Sequence, residues 1–252
     1  MRALYETLLP AEWRFWFYGI RHPRAMRNLR RSLNPSPKGD FSLRNCDRHE
    51  AIFVHIPKAA GTSVALSLFG QLPYHYTAAE HRVIFGRRTF GRYFKFAFVR
   101  NPWDRLYSAY RYLRAGGWND ADKAWAEANL AQFASFDQFV LEWLHPERLN
   151  SYMHFRPQSE FICDWRGRPL IDQIGYFETI EEDFSLIARR LGIEGTLEHV
   201  NRSSRDHYRT AYSAAAIDRV AAVYQRDIEA FGYDFEGINT RMRIRAGRFV
   251  PA

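Results

Sequence analysis

Cysteine is scarce in this 252-residue chain. Cys46 and Cys163 are the only two, too few for a disulfide framework and without metal-ligand spacing. A reducing compartment is the simplest expectation. No histidine pair stands at zinc-type spacing from cysteine or carboxylate partners, so no metal is expected. The longest uninterrupted apolar stretch in the N-terminal region lies between Arg14 and Arg21, far short of the roughly 20 residues a membrane span needs. No signal-peptide cleavage pattern accompanies it, which makes a cytoplasmic location the expectation. Internal repeats and low-complexity tracts are also missing. The chain has no Gly-x-x-x-x-Gly-Lys-Ser/Thr segment, which disfavours a Walker A nucleoside triphosphatase.

What is present is positive charge and apolar mass. The formal net charge is +8, with a pI near 9.6, and this points to an acidic partner such as a nucleotide, an anionic glycan or a membrane surface. The hydrophobic content of 46% suffices for a full core in one domain of this length. Seven arginines stand against Glu6 and Glu12 within residues 1–31, a local +5. Trp13, Trp16, Phe17 and Ile20 recur there at helical spacing, which predicts an amphipathic helix from about Pro10. A docked helix is the first reading of residues 1–31, and peripheral contact with an anionic membrane is the second. Asn34-Pro35-Ser36-Pro37-Lys38-Gly39-Asp40 reads as a linker. The organisation is therefore a basic helix and linker over 1–40 and one larger domain over 41–252.

Within that domain, apolar runs at 51–56, 93–99 and 171–177 predict strands. Helices are expected over 63–69, 102–113, 119–133 and 136–144, from about 180 to Gly192, and over 214–231. The caps are Asn101 with Pro102 and Asp104, Ser135 with Gln138, and Thr179 with Glu182. Strands alternating with helices argue for an α/β fold with a central parallel sheet flanked by helices.

Two strand-to-helix turns hold most of the chemistry. The first is Phe53-Val54-His55-Ile56-Pro57-Lys58-Ala59-Ala60-Gly61-Thr62-Ser63. Lys58, the hydroxyls of Thr62 and Ser63, and the amides entering the helix form a set that can hold a phosphate-like anion. Gly61 allows close approach of the backbone to a ligand. In the second turn, Phe98-Val99-Arg100-Asn101-Pro102-Trp103-Asp104-Arg105-Leu106-Tyr107-Ser108, Arg100 and Ser108 could grip a monoester phosphate between strand end and helix face. Each turn alone reads equally as an ordinary connection with solvated cations.

Together the two segments resemble those of sulfotransferases that use 3′-phosphoadenosine 5′-phosphosulfate (PAPS), in particular the carbohydrate branch with the heparan sulfate O-sulfotransferases. Phe155-Arg156-Pro157-Gln158, Tyr176-Phe177-Glu178, His199-Val200-Asn201-Arg202-Ser203-Ser204 and Tyr224-Gln225-Arg226-Asp227 extend the likeness over roughly residues 50–236. The resemblance implies a single P-loop-like sulfotransferase domain over 41–252. It implies that Lys58, Ala60, Gly61, Thr62 and Ser63 hold the 5′-phosphosulfate and Arg100 and Ser108 the 3′-phosphate. Arg202, Ser203 and Ser204 would close over the nucleotide. The acceptor would be a hydroxyl, expected on a glycan or glycolipid, with no nucleic acid involved. The implied mechanism is in-line displacement with a histidine base and no metal.

Nine histidines compete for the role of base. His75, in His75-Tyr76-Thr77, matches a His-x-Thr stretch of the heparan sulfate branch, and His154 is the second candidate. His55 reads as a packed histidine, Glu80 and His81 as helix-face residues, and His199 as structural. Arg82, Arg87, Arg88, Arg92, Arg111 and Arg114 could line a cleft for an anionic glycan. Trp118 and Trp125 could stack on a sugar or belong to the core. Two rival readings stand beside this one, a phosphotransferase on a similar fold and a basic module that binds membrane or nucleic acid through residues 1–31.

Overall fold

Strands from three separate parts of the chain meet in a parallel sheet, β1 (Ala51–Phe53), β2 (Phe94–Val99) and β3 (Gln173–Tyr176), with β2 in the middle. The computed structural model describes residues 11–36, 39–197 and 208–252. Ala51 lies opposite Phe94, and Phe96 opposite Gln173. The amide of Val54 donates to the Phe96 carbonyl at 2.9 Å, carrying the ladder one residue past β1.

Period-two alternation sends successive side chains to opposite faces, and both faces are covered. Ile52, Val54, Ala97, Val99 and Ile174 join one buried cluster with Phe85 and Phe90. Ala51, Phe53, Phe96 and Phe98 join another with Val64, Leu68, Phe184 and Ile187. Helices α3 (Gly61–Phe69) and α9 (Ile180–Leu191) cover this second face, and α4 (Ala78–Arg92), which bends at Gly86 (φ 75°), covers the first. The third cluster is helical. It is built from α5 (Pro102–Arg114), α6 (Asp120–Leu130), α7 (Phe136–Trp143) and α10 (Ala214–Val223), around Leu106, Leu130, Phe139 and Val220. The mixed α/β architecture with a parallel sheet flanked by helices agrees with the expected fold class.

The basic N-terminal segment forms two helices, α1 (Ala11–Arg21) and α2 (Pro23–Arg31), and both pack on α4. The docking face differs from the expected stripe. Trp16 and Ile20 are exposed, whereas Phe15 and Met26 join the core and Gly19 is buried. A Cβ on Gly19 would lie 2.3 Å from Val83 Cγ1, so close contact between α1 and α4 selects the glycine side of the helix. Arg30 pairs with Asp47 at 2.5 Å and lies over Phe85, while Arg21, Arg24, Arg27 and Arg31 are exposed. No helix among the described residues is long and apolar enough to cross a membrane.

Other elements depart from the sequence reading for local reasons. The expected helix over 214–231 breaks at Tyr224 (φ −105°, ψ 22°), and α11 (Gln225–Phe231) follows. The Tyr224 hydroxyl is held on the Phe155 carbonyl at 2.6 Å. Thr179 does not cap α9; its hydroxyl donates to Asp183 instead. Ser135 accepts from the Gln138 amide, but the Gln138 side chain takes the Ala134 amide, leaving half a capping box. A full box forms at α4, where Thr77 and Glu80 each accept from the other's backbone amide. A C-terminal hairpin, β4 (Met242–Arg245) with β5 (Arg248–Pro251), turns through Ala246 and Gly247, both at positive φ.

Candidate active site

The cleft opens where β1 and β2 end, since each strand hands over to a helix on that edge of the sheet. A cavity of about 600 Å³ lies there. Lys58, Ala60, Gly61, Thr62, Ser63, His75, Arg100, Ser108 and His154 all line it. Arg202 and Ser203, with Ser204 and His199, fall outside the described residues.

The first turn has an unusual backbone. Lys58 (φ 68°) and Ala60 (φ 61°) both occupy the left-handed region without being glycine, a conformation that costs roughly 1–2 kcal/mol per residue. Two arginines from the second turn hold this loop by its carbonyls. Arg105 Nε donates to the Pro57 oxygen at 2.8 Å, and Arg100 Nη1 donates to the Lys58 oxygen at 3.1 Å. Arg105 is almost fully buried and also donates from Nη1 to the Arg156 carbonyl. Gly61 is required for a reason not visible in the sequence. A Cβ there would lie 1.8 Å from Cδ2 of the buried His55, so the close neighbour is an imidazole of the protein itself.

The second turn is over-determined by hydrogen bonds. Asn101 caps α5 through its side-chain oxygen, which accepts from the amides of Trp103 and Asp104. Its own amide donates to Glu178 and its side-chain nitrogen to the Asp234 carbonyl. The Asp104 carboxylate does not return to the cap. It takes Nε and Nη2 of Arg100 at 2.7 and 2.8 Å, a two-point pair that fixes the guanidinium over the Phe177 ring. Gln158, which opens the short helix α8 (Gln158–Ile162), both accepts from the Arg100 amide and donates to its carbonyl, and Asp227 accepts from the amides of Gln158 and Ser159. The weaker likenesses at 155–158, 176–178 and 224–227 thus converge on one strand end.

Lys58 Nζ sits 3.9 Å from the centre of the Tyr112 ring. Burial lowers its pKa to about 8, helped by the neighbouring positive charge of Arg100, with Asp122 acting the other way. The His75 ring lies against that of His55, tilted by 35° with centroids 4.1 Å apart, and its Nδ1 lies 2.9 Å from the His55 carbonyl. A carbonyl only accepts, so Nδ1 carries the proton and Nε2 the lone pair. Burial pushes the His75 pKa down to about 4, so the ring is neutral near pH 7. His154 is also lowered by burial. Its Nε2 lies 3.5 Å from Asp122, and its buried Nδ1 has no hydrogen-bond partner among the described residues.

Asp122 is the residue that sequence reasoning missed. At 3% exposure it accepts from the Tyr112 hydroxyl at 2.5 Å, from the Trp118 amide at 2.7 Å and from Tyr152. Burial raises its pKa, but hydrogen bonds from His154, Tyr112 and Tyr152 outweigh that and hold it well below the usual carboxylate range. In sequence, Asn119-Asp120-Ala121-Asp122 shows only a helix start, and nothing local signals the tyrosines that converge on it. Trp118 lines the cleft, whereas Trp125 belongs to the core, stacked on Tyr152.

Several expected cleft residues are elsewhere. Arg82, Arg87, Arg88, Arg92, Arg111 and Arg114 do not line the cavity; all six are exposed, and Arg92 pairs with Glu50. His81 is not on an exposed helix face but fully buried between Tyr76 and Phe85.

The chain is similar in sequence to several known proteins. Carbohydrate sulfotransferase 10 of Homo sapiens is 22% identical, with 81% of this chain and 70% of that protein covered. Carbohydrate sulfotransferase 11 of Rattus norvegicus is 23% identical, with 84% and 70% covered. An uncharacterized protein of Archaeoglobus fulgidus is 30% identical over 126 residues, 49% of this chain and 89% of that one. No solved structure gives a significant match. A family model described as the sulfotransferase family matches residues 42–234, a span that includes both turns and every described residue of the cleft but Phe41, and the chain belongs to that family, with its relatives in the carbohydrate branch.

Proposed function

We propose that the protein moves a sulfuryl group from PAPS to a hydroxyl of a carbohydrate acceptor. The supporting observation is that Lys58 and Arg100, on turns after adjacent strands, line one cavity and are joined by a hydrogen bond. A donor with phosphate at both the 3′ and 5′ positions has its charges matched by those two turns. Lys58, Thr62, Ser63 and the amides from Ala60 to Ser63 would hold the 5′-phosphosulfate, and Arg100 and Ser108 the 3′-phosphate. Arg202 and Ser203 would complete the nucleotide side.

In the reaction the acceptor oxygen attacks sulfur in line. A new S–O bond forms as the bond from sulfur to the 5′-phosphate oxygen breaks, and that oxygen keeps the electron pair. Lys58, protonated at neutral pH, meets the charge growing on the leaving oxygen. His75 Nε2 takes the proton of the acceptor hydroxyl, while the His55 carbonyl on Nδ1 holds the ring in the required tautomer.

Calorimetric titration tests the donor. Adenosine 3′,5′-bisphosphate is expected to bind stoichiometrically and ATP with magnesium not to compete. Tight ATP binding with no response to the bisphosphate would sink the reading.

The pH profile tests the two roles together. His75 must be unprotonated and is so above about pH 4, whereas Lys58 must be protonated and is so below about pH 8. The kcat/KM profile should therefore be level between these values and fall above about pH 8. His75→Ala should lower kcat by about 10²–10⁴-fold, the usual share of a general base. Full turnover in that variant would move the base to His154.

A further inference from the structure

Lys58 carries its charge in an unfavourable place. Burial works against the ammonium, and the guanidinium groups of Arg100 and Arg105, from the second turn and α5, repel it. The imidazoles of His55, His75 and His154 are held neutral near pH 7 by burial, so they do not offset this charge. Among the described residues, the carboxylate that favours the ammonium is Asp122, on α6.

One side chain connects the two. The Tyr112 ring, on α5, has its centre 3.9 Å from Lys58 Nζ, and its hydroxyl donates to Asp122 Oδ2 at 2.5 Å. Burial and that carboxylate push the phenol far up, so it stays a donor at every working pH. A phenol that donates to a carboxylate gains electron density on its oxygen and ring, and a richer ring face attracts a cation more strongly. The carboxylate is fixed in turn by the Trp118 amide at 2.7 Å and by the Tyr152 hydroxyl. The lysine thus rests on an aromatic plate whose far edge is tied to a buried anion. Resting on the transfer chemistry proposed above, we infer that Asp122 is a positioning residue of the reaction: acting through the Tyr112 hydroxyl, it keeps Lys58 charged and seated at the anion-binding turn.

The test reads Lys58 itself, in the full chain without nucleotide. Trace acetylation with acetic anhydride over a pH series, scored by mass spectrometry of the Lys58 peptide, gives the pH at which the amine loses its proton. The parent should titrate near pH 8. Asp122→Asn should move that midpoint down to about pH 7, the size expected on removing one nearby opposite charge. At pH 8 the charged fraction then falls from about half to about a tenth. Tyr112→Phe keeps the ring and leaves Trp118, Tyr152 and His154 beside the carboxylate, so it should fold and move the midpoint down by a smaller step. In turnover, the alkaline limb of kcat/KM should follow the Lys58 midpoint in each variant. A purely structural Asp122 would change the melting temperature of these variants and leave the lysine titrating where it did. The inference is overturned if Asp122→Asn folds and titrates at the parent's midpoint, or if Tyr112→Phe does. Failure of the donor reading is separable, because the labelling needs no donor and that failure shows as absent bisphosphate binding in the parent.

Discussion

Lys58→Ala is expected to abolish measurable transfer of labelled sulfuryl from PAPS, with kcat reduced by at least about 10²–10³-fold, the loss seen when one preorganised stabiliser of a developing oxyanion is removed. The side chain meets two groups that both favour its charge. Tyr112 offers it a ring face at 3.9 Å, and the Asp122 carboxylate lies behind the Tyr112 hydroxyl. Removing the ammonium leaves that hydrogen bond in place, so the fold should survive. The loop itself is held by backbone carbonyls of Pro57 and Lys58, which the substitution retains. Circular dichroism and the melting temperature should therefore stay close to the parent while turnover disappears. Unchanged turnover in a folded Lys58→Ala protein would remove the leaving-group role and with it the mechanism.

Arg100 should produce the second large effect, read through the ligand's 3′ position. Adenosine 3′,5′-bisphosphate and adenosine 5′-monophosphate differ only in that phosphate. The parent should prefer the bisphosphate by about 10²-fold, which corresponds to one strong charge-assisted contact. Arg100→Ala should erase that preference, but it also strands Asp104 without its partner at 9% exposure. Breaking a buried pair from one side costs about 3–5 kcal/mol, so the variant should also melt earlier. Arg100→Lys separates the two effects, since it keeps the charge near Asp104 and loses the two-pronged geometry. A lysine variant that folds and still discriminates the two nucleotides by the parent's full ratio would show that the 3′-phosphate is read elsewhere.

How much of this could be read in advance depended on how local each determinant is. The run Phe94–Val99 announces a strand covered on both faces because nearly every position is apolar. Asn101 followed by Pro102 announces a helix start because capping needs only neighbours. The two turns are legible for the same reason, each being contiguous. Asp122 is not, because its meaning lies in Tyr112, Tyr152 and His154, brought together by packing of α5 and α6 against the segment before Gln158. Gly61 was legible as a glycine but not for its cause, which is a ring six residues earlier in the chain. The stripe on α1 misled because Trp16 and Ile20 have the right spacing, yet a glycine between them lets the helix approach α4 more closely than any side chain would. The break at Tyr224 depends on a distant carbonyl acceptor and leaves no mark in the pattern of 214–231.

On the proposed donor reading, the backward-twisted backbone at Lys58 and Ala60 has a consequence for how quickly a nucleotide would come and go. An anion-gripping loop that must first rearrange would slow every encounter and weaken every complex. Here the awkward dihedrals are already in place, locked by the guanidinium groups of Arg100 and Arg105 from a neighbouring segment. The conformational penalty thus falls on the folding of the chain, once, and a donor bound as proposed would meet a socket already shaped to receive it.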